Sequence, residues 1–177
     1  MAEQVGTVGP TRLTPTSATV GILFVAFLVV MVSGEQQSLG PVDLDTANRL
    51  AIGLWVLAPV IGGLIAGRRG GHAVREAARV GALLGVAVTV LVATAAGAGY
   101  PTTCPMNGIP TFVGAYFLGC LAVGGIVGVG TGLSLLVTAV LAARRWWLPG
   151  IVAGAIVSFV AGYGAYNLYY DFAACLR

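Results

Sequence analysis

The chain carries very little charge for its length. Of its 177 residues only 8% are charged, none is lysine, and 58% are hydrophobic. Soluble domains carry about 25% charged residues, so this composition excludes a soluble domain and indicates a membrane protein. The net charge of +3 comes from arginines spread over short loops. That spread fits orientation in a membrane, and we expect no nucleic-acid partner.

Groups that catalyse reactions or hold metals are scarce. The only histidine, His72, has no His or Cys neighbour at metal-ligand spacing. Ser134 lacks the histidine or lysine base that an intramembrane serine protease needs. There is no Cys-x-x-Cys, and no Asp, Glu, Arg or His falls in the middle of an apolar run, which disfavours thiol redox chemistry and proton-driven transport. We therefore expect no enzyme activity, no metal and no cofactor.

Five apolar runs predict an all-α, polytopic transmembrane bundle. They cover residues 18–33, 48–67, 78–99, 111–143 and 150–170. Most reach the roughly 20 residues that cross about 30 Å of hydrocarbon. We interpret residues 1–17 as a mostly irregular cytoplasmic tail and residues 18–177 as one transmembrane domain.

Two of the runs admit a second interpretation. The first is short and could be a cleaved signal peptide ending near Ser33, although its leader carries only Arg12 as a positive charge. The fourth would be roughly 50 Å long as a single helix. It is either one tilted helix that projects past the bilayer or a helix broken at its glycines. The single helix is favoured, because a break leaves residues 133–143 too short to cross.

Arginine pairs lie in alternate loops and predict the orientation. Arg68-Arg69 follow the second run, and Arg144-Arg145 follow the fourth. Positive charge selects the cytoplasmic side, so we expect the N-terminus inside and the C-terminus outside. The same four arginines are candidates for contact with anionic lipid head groups. The Gly-, Ala- and Arg-rich composition is typical of a GC-rich genome, and the expected location is the plasma membrane of a prokaryote.

Two cysteines are expected on the outer side of the membrane. Cys104 follows the third run and Cys175 follows the fifth. Disulfides persist in that compartment, so we predict a Cys104–Cys175 bridge, with two free thiols as the alternative. Cys120 lies inside the fourth run and is expected to be a buried small apolar residue.

Small residues recur at four-residue spacing, a pattern typical of close packing between membrane helices. The predicted packing residues are Gly81 and Gly85 in the third run, Gly124, Gly128 and Gly132 in the fourth, and Gly150, Gly154, Ser158 and Gly162 in the fifth. The spacing leaves open whether these stripes join helices within one chain or between chains. The first run lacks such a stripe, so we expect a peripheral, lipid-facing helix in which Ala26 tolerates a larger side chain.

Two weaker patterns concern hairpins and aromatic residues. Residues 64–69 resemble residues 140–145, and the two hairpins around them form a possible internal repeat with an axis along the membrane normal. Aromatic and amide residues cluster at the outer end of the fifth run, namely Tyr163, Tyr166, Asn167, Tyr169 and Tyr170, and Trp146 and Trp147 lie at its inner end. They are either an aromatic belt at the interface or an outer vestibule for a ligand.

These patterns favour a non-catalytic integral membrane protein. The first hypothesis is a scaffold, an accessory subunit or a self-associating bundle, whose partners are the lipid bilayer and further copies or other membrane subunits. The alternative is a small oligomeric channel or facilitator, based on the glycine-rich fourth run and the possible repeat. A lipid-acting enzyme that uses the arginines is the weakest of the three.

Overall fold

The computed structural model describes residues 14–35, 44–69, 72–98 and 109–174. Over these ranges the chain forms five helices and no strand. They are α1 (Pro15–Glu35), α2 (Leu44–Arg69), α3 (Ala73–Ala98), α4 (Ile109–Ala143) and α5 (Trp147–Ala174). The predicted all-α bundle is confirmed. Four helices are long and apolar enough to cross a membrane, and α1 contributes a shorter apolar segment, Pro15–Ala26.

The helices extend beyond the apolar runs that predicted them. The largest extension at a single helix end is at the start of α3, which begins at Ala73 and therefore includes Arg75 and Glu76. These residue types favour helix, and Arg79 pairs with Glu76 at 3.2 Å. Hydropathy marks only the part of a helix that lies in hydrocarbon, so it misses such polar first turns.

Helix α1 begins with a capping arrangement. Its first residues belong to the segment 1–17, for which the sequence predicted a mostly irregular tail. Pro15 occupies the first helical position. A backbone N–H at this position has no acceptor within the helix, so the N–H that proline lacks is not needed there. The Ser17 backbone N–H donates to Thr14 Oγ1 at 3.1 Å, and the Thr14 N–H donates to Ser17 Oγ at 2.9 Å. This reciprocal capping box starts the helix at Pro15, so residues 15–17 are helical and not irregular as predicted.

Helix α4 is continuous and lies at the centre of the bundle. It runs for 35 residues without a break, about 52 Å at the α-helical rise. It packs against α2, α3 and α5. Gly124, Gly128 and Gly132 face α3, so the neighbouring helix supports the backbone where glycine would otherwise weaken it.

Helix α1 is peripheral but not wholly exposed to lipid. It packs mainly on α2 and touches α3. Thr19, Leu23 and Ala26 on one face are buried, whereas Phe24 is exposed. Ala26 is only 5% exposed, so the expectation that this part of the helix faces lipid is wrong at Ala26. A helix without a glycine stripe still buries one face when alanine and threonine supply the small side chains.

The two hairpins share their orientation but not their packing. Both turns lie at one end of the bundle, since Gly67 near the end of α2 adjoins Ala139 and Ala142 near the end of α4. Helices α4 and α5 pack along their length, whereas α2 and α3 barely meet. Both α2 and α3 pack against α4 instead. The arginines of both turns therefore share this end, called the basic end below.

The α4–α5 turn places a non-glycine residue in the left-handed region. Arg145 has φ of 65°. The Trp146 N–H donates to the Leu141 carbonyl at 2.9 Å, and the Arg145 N–H donates to the Ala142 carbonyl at 3.0 Å. This is a Schellman motif, in which glycine is the usual residue at the left-handed position. Arginine there carries backbone strain.

We expect Arg145→Gly to raise the stability of the bundle. Relief of the left-handed strain outweighs the greater freedom of glycine in the unfolded chain, with a net gain of about 0.5–1 kcal/mol. The matched control is Arg144→Gly, which removes the same charge one residue earlier, where φ is not positive. Thermal unfolding in detergent should rank Arg145→Gly above the parent and Arg144→Gly at or below it. The reverse ranking would contradict this account of the turn.

Candidate functional site

Helices α3 and α4 meet backbone to backbone at paired glycines. A Cβ added at Gly81 would lie 2.7 Å from the Gly128 carbonyl oxygen, and one added at Gly128 would lie 2.5 Å from the Gly81 oxygen. The pairing continues one turn away, where a Cβ on Gly124 would lie 2.5 Å from the Gly85 oxygen. Real Cβ atoms do not approach oxygen this closely, so only glycine fits here. These stripes therefore join helices within one chain.

Hydroxyl groups join α4 to α5. Ser134 Oγ donates to the Gly154 carbonyl at 2.6 Å, and Thr138 Oγ1 lies 3.2 Å from the Gly150 carbonyl oxygen. A Cβ on Gly154 would collide with Thr138 Oγ1 and lie 3.2 Å from the Ser134 carbonyl oxygen. The small residues of α5 thus let α4 hydroxyls reach the α5 backbone.

Two packing glycines of α2 were not predicted. A Cβ on Gly63 would lie 2.6 Å from the Leu135 carbonyl oxygen, and one on Gly67 would lie 2.6 Å from the Ala139 oxygen. The four-residue spacing of Gly63 and Gly67 was the available signal. Adjacent Gly62 faces α1, where its Cβ would collide with Thr19.

An apolar groove runs along the outside of the α3–α4 contact. Its volume is about 640 Å³, and it extends from Val74 to Val90 on α3, about 24 Å at the helical rise. Ala78, Ala82 and Gly125 line it and are exposed. A Cβ on Gly125 would meet no atom within 4 Å. This glycine therefore has no packing role inside the described part of the chain.

A second concavity, called the aromatic cleft below, lies between α2, α4 and α5. Its volume is about 770 Å³, and its walls include Trp55, Phe159, Tyr163 and Tyr166. The Phe159 and Tyr163 rings are nearly parallel, with centroids 6.4 Å apart and an interplanar angle of 11°. Two of the tyrosines predicted as a belt or vestibule thus line a cleft with Trp55. Nothing in the pattern of the second run singled out that tryptophan.

Two predicted packing residues of α5 also lie at the aromatic cleft. Ser158 is 1% exposed, and Gly162 follows it by one helical turn. A Cβ on Gly162 would lie 3.3 Å from Trp55 Nε1. Gly162 therefore lets the α2 tryptophan pack close to the α5 backbone, whereas Gly150 and Gly154 face α4.

The arginines at the basic end are exposed. Arg68, Arg69, Arg144 and Arg145 all project from the helix ends. The one acidic residue described at this end is Glu76. It forms an ion pair with Arg79 and accepts a hydrogen bond from the Thr16 hydroxyl. This distribution gives the described bundle one strongly positive end, as contact with anionic head groups requires.

The predicted disulfide lies outside the described residues, since both Cys104 and Cys175 fall in segments that the structure does not describe. Cys120 is a free thiol with 0% exposure, on the α4 stripe as expected. Within the described ranges no three His, Cys, Asp or Glu residues lie close enough together to hold a metal ion.

No protein-family model, curated protein or solved structure matches this chain. Its function is therefore inferred from the contacts and surfaces described above.

We expect Gly154→Leu to destabilise the bundle, because the new side chain would force α5 away from the α4 hydroxyls. Overpacking of this kind costs about 1–3 kcal/mol. The matched control is Gly164→Leu in the same helix, where an added Cβ meets nothing within 4 Å. Thermal unfolding of detergent-purified protein measures both changes. Equal tolerance at the two positions would show that the α4–α5 contact is not close.

Proposed function

We propose that this protein is a non-catalytic membrane subunit, which associates through its α3–α4 groove with a transmembrane helix of another subunit. The proposal rests on the groove together with exposed Gly125, which lines it and whose added Cβ would meet no atom within 4 Å. Glycine in a helix interior costs about 1 kcal/mol relative to alanine. The α4 glycines that face α3 have packing partners within the chain that account for this cost. A helix seated in the groove would account for it at Gly125.

The dimensions of the groove support a helix as the occupant. Its length of about 24 Å, from the span Val74 to Val90 and the helical rise, covers most of the hydrocarbon core. Its floor holds Ala78, Ala82 and Gly125, while Leu121 and Leu133 rise beside them. A floor of small residues lets a second backbone approach closely, which is how membrane helices associate. The seated helix belongs either to a second copy or to a different membrane protein.

The centre of the bundle favours a subunit over a single-chain pore. Helix α4 fills the axis, and α2, α3 and α5 surround it. The groove follows the outer side of the α3–α4 contact, and the aromatic cleft lies beside α4 between α2 and α5. A channel built from this chain would therefore need its path between copies.

We expect Gly125→Leu to weaken association without unfolding the bundle. The leucine would fill the groove, whereas the empty space around Gly125 lets the monomer accept it. The matched control is Gly164→Leu, also in open space but on α5. Native mass spectrometry of protein purified in mild detergent measures the assembled fraction and identifies any second subunit. The expected result is loss of assembly in the α4 variant alone, with unchanged thermal stability.

Two outcomes contradict the proposal. One is a parent protein that is monomeric and carries no second subunit. The other is equal assembly of both variants, which would place any interface elsewhere on the surface.

We further propose that the basic end faces the cytoplasm of a prokaryotic cell and that Cys104 and Cys175 form a bridge outside. The support for orientation is the positive-inside rule applied to the exposed arginines of the basic end. The support for the bridge is the oxidising compartment that this orientation gives to both cysteines.

A single labelling experiment tests both statements. A membrane-impermeant maleimide should label no thiol in intact cells, and should label two after an impermeant phosphine reductant. The control Gly70→Cys introduces a thiol directly after Arg69, and that thiol should be labelled only after lysis. Labelling of the parent without reductant would mean free thiols. Labelling of the introduced thiol in intact cells would mean the reverse orientation.

A further inference from the structure

One buried hydroxyl group in the bundle has no hydrogen-bond partner. Ser158 Oγ is the only buried side-chain polar atom of the described residues in this state, and Ser158 is 1% exposed. Threonines in comparable positions donate to the carbonyl four residues earlier, as Thr89 does at 2.8 Å and Thr131 at 2.7 Å. A buried polar group without a partner is unfavourable, so Ser158 calls for a specific explanation.

The Ser158 hydroxyl lacks a partner because of the contact between α4 and α5. The carbonyl four residues before Ser158 belongs to Gly154, and it accepts a hydrogen bond from Ser134 Oγ at 2.6 Å. In an α-helix the same carbonyl also accepts the Ser158 backbone N–H. A carbonyl oxygen has two lone pairs, and both are then engaged. The Ser158 hydroxyl therefore lacks the free acceptor that Thr89 and Thr131 use on their own helices.

The position of Ser158 in the membrane restricts what could bond to it. It lies midway along the candidate span Trp147–Leu168, about 16 Å from Trp147 at the helical rise. Water is scarce at this depth of a bilayer. A partner for the hydroxyl must therefore be soluble in lipid.

Ser158 lines the aromatic cleft, which has the form of a ligand site. Its volume of about 770 Å³ lies within the usual range for small-molecule pockets. None of the described residues that line it is charged, so a bound molecule would be neutral. Trp55 and the stacked pair Phe159 and Tyr163 offer flat surfaces to a planar ring.

Two polar groups at the cleft can donate a hydrogen bond to an acceptor on the ligand. The Trp55 indole N–H only donates, and Nε1 lies beside Gly162, 3.3 Å from where a Cβ would be. The unpaired Ser158 hydroxyl has a proton to donate. Gly162 stands between Ser158 and Tyr166 along α5, and its missing side chain keeps the cleft open.

We propose that the aromatic cleft binds a neutral, lipid-soluble molecule with a planar ring that carries a carbonyl oxygen, the chemistry of a quinone. The ring lies against the aromatic walls, and the Ser158 hydroxyl donates to the carbonyl. The groove proposed above for subunit association lies along α3, so the two proposals stand independently.

The test uses menadione as the probe and the full chain in lipid nanodiscs. Menadione quenches tryptophan fluorescence, and a Trp146→Phe/Trp147→Phe background reports Trp55 alone. Quenching should saturate with menadione at a fixed lipid concentration. Ser158→Ala should weaken binding about 2- to 10-fold, as loss of one neutral hydrogen bond does. It should leave thermal stability unchanged or higher, because the hydroxyl has no partner in the empty protein.

Two controls separate binding from partition into lipid. Gly162→Leu should abolish saturable quenching by filling the cleft beside Trp55, whereas Gly164→Leu, in open space, should not. 2-Methylnaphthalene has the same ring without carbonyl groups, and it should displace menadione poorly from the parent. Quenching that only follows partition, or equal affinity in the parent and Ser158→Ala, overturns the proposal. Equal competition by 2-methylnaphthalene would show an apolar site without carbonyl recognition, which overturns it as well.

Discussion

Contact between helix backbones along α4 is the constraint on which the rest of this bundle depends. Lipid tails are as apolar as leucine, so apolar side chains gain little by turning inward, and close packing has to hold the helices together. Gly81 and Gly128 provide it on the α3 side, and Gly63 provides it against Leu135 on the α2 side. A helix that approaches its neighbours this closely on several sides has little room to bend, which agrees with the unbroken course of α4.

Close approach brings hydroxyl groups within reach of carbonyls on other helices. Ser134 reaches Gly154 across the α4–α5 contact because Gly154 has no side chain in the way. Bonds of this kind are worth about 0.6 kcal/mol on average in membranes, so their number matters more than any one of them. The same bond uses the carbonyl that Ser158 would otherwise use. The contact that joins the helices therefore also creates the unpaired hydroxyl in the aromatic cleft.

The sequence predicted the helices well because hydropathy and chain length decide which segments cross a bilayer. It also found most glycines that pack, including Gly81 and Gly128, since four-residue spacing follows from helix geometry. The sequence did not predict which helix each glycine packs against. A stripe of small residues identifies the packing face of a helix but not the neighbouring helix. Ala26 was misjudged for that reason. The hydrogen-bond state of Ser158 was also unpredictable, because it depends on a serine of another helix.

The surfaces left free by this packing differ in chemistry, and that difference decides what each can accept. The α3–α4 groove is lined by alanine, glycine and aliphatic side chains, with a single threonine, Thr89, whose hydroxyl already bonds to Gly85. Only complementarity of shape can select what binds in this groove. A helix can match the shape of the groove over its full length. The aromatic cleft is shorter, has flat walls and ends at a hydroxyl that lacks a partner. The large aromatic side chains of the cleft hold a second helix backbone farther away than the Gly154 carbonyl lies from Ser134, so a seated helix would leave Ser158 unsatisfied. A ring with a free carbonyl satisfies it, and this is why the two surfaces call for different partners.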